Sequence, residues 1–153
     1  MIKSLLISCC IFLITHLCYA QTAKESINEL MDAWHSAAAT ADEDIFFCSM
    51  TADGIYLGTD KTEKWTRDEM KEWSKEYFDR ESAWSFTVIK RDVYLANDGE
   101  TAWFNEKLET WMGVCKGTGV LVKEESGWKI ALYDLSVTVD NDNIQQFIQL
   151  EKN

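Results

Sequence analysis

The hydrophobic spacing changes once along this chain, and that change limits the folds open to it. From Ser26 to about Ala41 the apolar residues Ile27, Leu30, Met31, Trp34, Ala38 and Ala41 recur in steps of three and four, the signature of one face of a helix. After Arg80 the period drops to two, with Trp84, Phe86 and Val88 alternating with Ser85, Thr87 and Ile89. Turn signals at Asn97-Asp98-Gly99, Gly113 and Ser126-Gly127 then divide the rest into strands over Thr101 to Trp111, Gly117 to Lys123 and Trp128 to Val139. Helices followed by a run of hairpin-linked antiparallel strands is an α+β layout, since an alternating α/β chain would interleave the two.

The segment between these halves carries local punctuation. Ser26 and Glu29 read as a capping box opening the first helix, with Thr22 and Glu25 an earlier alternative. Asp42-Glu43-Asp44 puts negative charge at the start of a short second helix running to about Met50. Asp53-Gly54 breaks the chain before a short strand at Ile55-Tyr56-Leu57. Thr66 and Glu69 form another capping box, and Met70, Trp73, Tyr77 and Phe78 mark the inner face of the helix it opens. Asp142 to Leu150 is expected to form a short terminal helix.

Residues 1–20 read differently. Lys3, the apolar run from Leu5 to Leu17, and Cys18-Tyr19-Ala20 ahead of Gln21 have the form of a secretory signal peptide, too short to span a bilayer. Its removal leaves 21–153 as a single domain of a size that supports a real core. With Lys3 gone, the net charge of −11 becomes −12. An acid surface of that strength opposes nucleic acid and anionic membranes as partners. Export to the periplasm or the outside is expected. A lipoprotein is the lesser alternative, because Cys9 comes too early and bulky Leu17 precedes Cys18. Cys48 and Cys115 then remain, read as two small buried hydrophobes rather than a disulfide.

Two carboxylates stand out by alternation. Glu106 shares a strand face with Ala102, Phe104 and Leu108, and Asp134 shares one with Trp128, Ile130 and Leu132. A carboxylate among apolar neighbours is expected to have a raised pKa, suited to a general base, unless a cation such as Arg91 pairs with it. His35 flanks the apolar stripe of the first helix, four residues after Met31. One remaining histidine and two separate cysteines do not make a usual zinc site. Asp140-Asn141-Asp142-Asn143 starts like a calcium loop but lacks the glycine and glutamate that complete one. No cofactor is expected. Gly117-Thr118-Gly119 interrupts a strand pattern, as a bulge or a close backbone approach would.

Several strings, taken together, resemble the SnoaL-like branch of the nuclear transport factor 2-like superfamily. They are Trp34-His35, Gly58-Thr59-Asp60 with Glu63 and Trp65, Trp84 with Arg91, Ala102 to Glu106, Gly117 to Leu121, and Trp128-Lys129-Ile130. The resemblance implies a curved, mostly antiparallel sheet wrapped as a cone around about three N-terminal helices, with a pocket at its open end and homodimers formed through the outer sheet face. That superfamily holds isomerases, cyclases, dehydratases and non-catalytic modules, so a shared fold leaves the reaction open. Three functions follow in order of expectation. The first is a binding domain for a small apolar or aromatic ligand, lined by Trp34, His35, Tyr56, Trp65, Trp84, Trp103 and Glu106. The second is a cofactor-independent isomerase, cyclase or dehydratase using Glu106 or Asp134 as base and His35 or Tyr56 as donor. The third is a non-catalytic dimeric interaction module.

Overall fold

The computed structural model describes residues 2–150, with side chains from Ala20 onward. The side chains of the expected leader before Ala20, its cysteines among them, lie outside the described residues. Helix α1 runs over Ile2–Ala39, so neither expected capping box starts it. Instead the Ser26 hydroxyl donates to the Thr22 carbonyl one turn back, at 3.0 Å. Its apolar stripe is where the spacing put it: Ile27, Met31, Trp34 and Ala38 are all buried. Ala41, assigned to that stripe, lies past the helix end with a positive φ of 55°. Among the described residues, no helix is long and apolar enough to cross a membrane.

Helix α2, Glu43–Cys48, is capped by Asp42, whose carboxylate accepts from the Ile45 amide. Strand β1, Met50–Leu57, and the unanticipated short strand β2, Lys64–Thr66, lead into helix α3, Arg67–Phe78. The Thr66–Glu69 capping box is formed in both directions, a device worth about 1 kcal/mol. Its inner face is Met70, Ser74 and Phe78; Trp73, expected in the core, is 43% exposed.

Strands β3 (Thr87–Leu95), β4 (Thr101–Thr110), β5 (Gly113–Glu124) and β6 (Gly127–Val137) form the meander that the turn glycines announced. The six strands make one mixed sheet in the order β2-β1-β6-β5-β4-β3. The β1–β6 pair is parallel and the others antiparallel. The buried row of β4 is Ala102, Phe104, Glu106 and Leu108, and facing it across β5 are Leu121, Gly119, Gly117 and Cys115. In β6 the row changes parity. Val120 pairs with Leu132 while Leu121 pairs with Ile130, so Ala131 is an extra residue. Trp128 and Ile130 are therefore buried before it, and Tyr133 and Leu135 after it. The described residues end in a 3-10 turn, Asn141–Asn143, and helix α4, Ile144–Leu150, all exposed. Cys48 and Cys115 are both free thiols; Cys115 is buried as expected, whereas Cys48 is exposed.

Candidate functional site

Two groups of side chains hold the chemistry. The first is a polar knot inside the fold. Alternation along β4 turns Glu106 inward, and helical spacing brings His35 over it from α1. His35 Nε2 lies 2.8 Å from Glu106 Oε1, and the Tyr133 hydroxyl donates to the same oxygen at 2.9 Å. Arg91 donates from Nε to Glu106 Oε2 and from Nη1 to Asp32, both at 2.8 Å. Gly117 stands directly opposite Glu106 in the ladder. A Cβ there would lie 2.5 Å from the Tyr133 hydroxyl and 2.8 Å from Glu106 Oε1. That is the physical content of the Gly117-Thr118-Gly119 string: close approach, without which the knot has no room.

The electrostatics of the knot differ from the sequence expectation. Burial is the largest influence on Glu106 and pushes its pKa up, but hydrogen bonds and positive charge from His35 and Arg91 outweigh it. The carboxyl is held below the ordinary glutamate range. Burial and the Glu106 charge push the Tyr133 phenol well above its usual value, so it remains a neutral donor. A carboxylate that accepts from three donors and is stabilised as the anion is a poor proton acceptor. Because it is an acceptor only, it fixes His35 with the proton on Nε2.

The second group is an aromatic cavity of about 350 Å³. β1 supplies Tyr56, β2 supplies Trp65, α3 supplies Trp73 and Tyr77, and the segment before β3 supplies Trp84 and Phe86. Trp111 and Met112 reach it from the β4–β5 turn. Trp65 stacks on Trp73 at 4.7 Å, and Trp73 on Tyr77 at 5.2 Å. Glu63, in the loop after Gly58 and Thr59, is the one formally charged side chain in the lining. Burial, and then the Glu63 charge, push the Tyr56 phenol far above its usual pKa. Its hydroxyl makes no hydrogen bond among the described residues and is left as a neutral donor at the cavity wall.

The expected site residues divide between these groups. His35 and Glu106 meet in the knot, and neither lines the cavity; the edge-to-face contact of His35 with Phe86, at 6.4 Å, links the two regions. Tyr56, Trp65 and Trp84 line the cavity as proposed. Trp34 does not: its ring is buried between Phe46 and Tyr133, each 4.6 Å away. Trp103 is on the outer sheet face, stacked on Tyr94 at 5.9 Å. Asp134 is also off the inner row, because the extra residue Ala131 reverses the face on which it falls, and it accepts from Ser136 at 3.1 Å. Sequence reasoning gave Glu63, Phe86 and Trp111 no place in the site, and set Trp73 and Tyr77 on the inner face of α3 rather than at a cavity. Glu63 was visible only within the Gly58–Trp65 string, and Trp111 only as an aromatic next to a turn glycine.

Comparison with known proteins gives a consistent answer at the level of fold. The model of a SnoaL-like domain matches residues 27–140. A candidate dehydratase of the nuclear transport factor 2-like family from Streptomyces avermitilis superposes with a TM-score of 0.65 at 16% identity, over 78% of this chain and 99% of that one. A candidate ketosteroid isomerase from Parabacteroides distasonis gives 0.58 at 20% identity, over 73% and 85%. A nuclear transport factor 2-like protein of unknown function from Pseudomonas putida gives 0.65 at 10%, over 80% and 92%. No curated protein matches the sequence.

Proposed function

The chain belongs to the SnoaL-like domain family, and on that premise we propose that it is a small-molecule-binding domain whose aromatic cavity takes a flat, largely apolar ligand. The observation that carries this reading is the cavity itself. Its volume of about 350 Å³ falls in the range of ordinary ligand sites, roughly 300–1,000 Å³. Its walls are aromatic rings, and apart from the indole N–H groups its polar side chains are few: the Tyr56 and Tyr77 hydroxyls, Thr59 and Glu63. Ring faces supply contact area at low entropic cost, and the phenol supplies one directional donor. Behind it, both Glu106 oxygens are engaged within the fold, and the knot ties α1 to β3, β4 and β6, with Arg91 Nη2 left without a hydrogen-bond partner among the described residues.

A panel of flat aromatic and polycyclic compounds, of either charge and of none, tests this by tryptophan fluorescence and thermal shift. The expected result is a fluorescence change with a raised Tm for some members, weakened by Trp111→Ala and Tyr56→Phe. Silence across the panel would favour the reading as an interaction module. Export and homodimer formation through the outer face, where Ile89, Tyr94 and Trp103 are exposed, belong to the same proposal.

One observation favours a second reading, an isomerase or dehydratase type of enzyme. Glu106 holds His35 through Nε2 and leaves Nδ1 without a hydrogen-bond partner among the described residues, as a carboxylate does when it orients a basic imidazole. The base would then be His35 and not Glu106 or Asp134, with Tyr56 donating to a developing oxyanion. A substrate would have to displace Phe86 to reach it. Turnover of a carbonyl substrate that survives His35→Gln excludes this role.

A further inference from the structure

The cavity's lining has one sign of charge. Among the described residues around it there is no lysine, arginine or histidine, and Glu63 is the single carboxylate. Glu63 is fixed within its loop. Its Oε2 accepts from the Asp60 amide at 3.1 Å, its own amide donates to the Asp60 carbonyl at 3.0 Å, and its carbonyl accepts from the Gly58 amide at 3.0 Å. A Cβ on Gly58 would collide with the Glu63 side chain, so that side chain lies directly against bare backbone. Among the described residues Glu63 forms no ion pair. A carboxylate held in an aromatic wall without a countercharge is half of a recognition site.

The rings supply the other half. Trp111 is 84% exposed and has no aromatic partner among the described residues, yet it lines the cavity. Its turn is pinned from within: the Thr110 hydroxyl donates to the Gly113 carbonyl at 2.9 Å and accepts from the Met112 amide at 3.0 Å. An indole on a locked turn keeps its faces available at low entropic cost. At the far end of the Trp65–Trp73–Tyr77 stack, the Arg80 guanidinium sits over the Tyr77 ring at 4.4 Å. That cation is outside the lining and is engaged by a ring, leaving no positive group in the cavity to receive an anion. The chain's net charge of −11 also draws cations and repels anions.

Building on the binding reading above, we propose that the ligand of this cavity is an organic cation, an alkyl- or arylammonium whose charge is met by Glu63 and by the faces of Trp111 and its neighbours. Aromatic rings attract a desolvated ammonium through their quadrupoles, and a fixed carboxylate adds a specific counter-ion. Neutral compounds of the same shape receive only the contact area.

Three phenyl probes separate these contributions: trimethyl(phenyl)ammonium, its neutral isostere tert-butylbenzene, and benzoate, each titrated into the protein by tryptophan fluorescence. The ammonium is expected to bind about tenfold tighter than the neutral probe, with benzoate not binding. Glu63→Gln, with an unchanged Tm, brings the ammonium's affinity close to that of the neutral probe and leaves the latter unaltered. Equal affinity for the ammonium and tert-butylbenzene, or preference for benzoate, overturns the inference while the cavity reading survives. Binding by none of the three removes both. An ammonium preference unaffected by Glu63→Gln overturns the role given to the carboxylate.

Discussion

The polar knot and the aromatic cavity are neighbours separated by Phe86, and they are built on opposite principles. In the knot every oxygen of Glu106 is accounted for: His35 and Tyr133 on one, Arg91 on the other. In the cavity, among the described residues, the Tyr56 hydroxyl has no hydrogen-bond partner, the Glu63 carboxylate accepts from the Asp60 amide but meets no cation, and Trp111 stacks on no other ring. Buried polar groups are costly unless satisfied, and the Glu106 carboxylate meets that cost within the fold even though Arg91 Nη2 beside it has no partner among the described residues; polar groups open to a void of ligand size instead mark a place for something else. The residues that look most like chemistry in the sequence are thus the ones the fold uses for itself.

That contrast can be broken in a definite order. The largest effect belongs to Glu106→Ala. It leaves Arg91 and His35 buried without their carboxylate and should cost about 3–5 kcal/mol in a denaturant melt; a cost below 1 kcal/mol would show that the knot is not structural. Next comes Gly117→Ala. Its Cβ lands on the Tyr133 hydroxyl and Glu106, for an expected loss of about 1–3 kcal/mol, with cavity binding preserved.

Acid sharpens the same point. The folded-state pKa of Glu106 lies below its ordinary value of 4.5, so its contribution to stability is fully present above that value. It is lost as pH falls through the folded pKa. Wild-type stability should therefore drop steeply in acid below about pH 4.5, and Glu106→Gln should flatten that drop; parallel curves would contradict the assignment. The smallest effect on stability is at the cavity mouth. Trp111→Ala should change stability by no more than about 0.5 kcal/mol while weakening ligand binding clearly, the reverse of the knot variants.

The sequence was most legible where a local rule decides the structure. Thr66 and Glu69 cap α3 as their spacing requires, and the alternation through Phe104 and Glu106 turned the carboxylate inward. It was least legible where one residue shifts a register. Asp134 alternates with Ile130 and Leu132 on paper, but Ala131 bulges and moves it to the other face. Trp73 sits at helical spacing with Met70 and Tyr77, yet the stack between Trp65 and Tyr77 holds it at the cavity and not in the core. Ser26 carries a capping signature that α1 overrides by continuing through it. The pairing of Glu106 with Arg91 was foreseeable as an alternative, but choosing it needs the alignment of β3 with β4, which brings Arg91 opposite Glu106.

The seven tryptophans provide the most direct test, since the fold distributes them among different environments. Trp65, Trp73, Trp84 and Trp111 line the cavity, Trp34 and Trp128 are buried in the core, and Trp103 is on the outer face. Titrating trimethyl(phenyl)ammonium while following the indole N–H resonances by NMR reads each of them separately. Saturable shifts are expected at Trp65, Trp73, Trp84 and Trp111 and at no other tryptophan. Saturable shifts centred on Trp34 or Trp103, with the four cavity indoles unmoved, would contradict that.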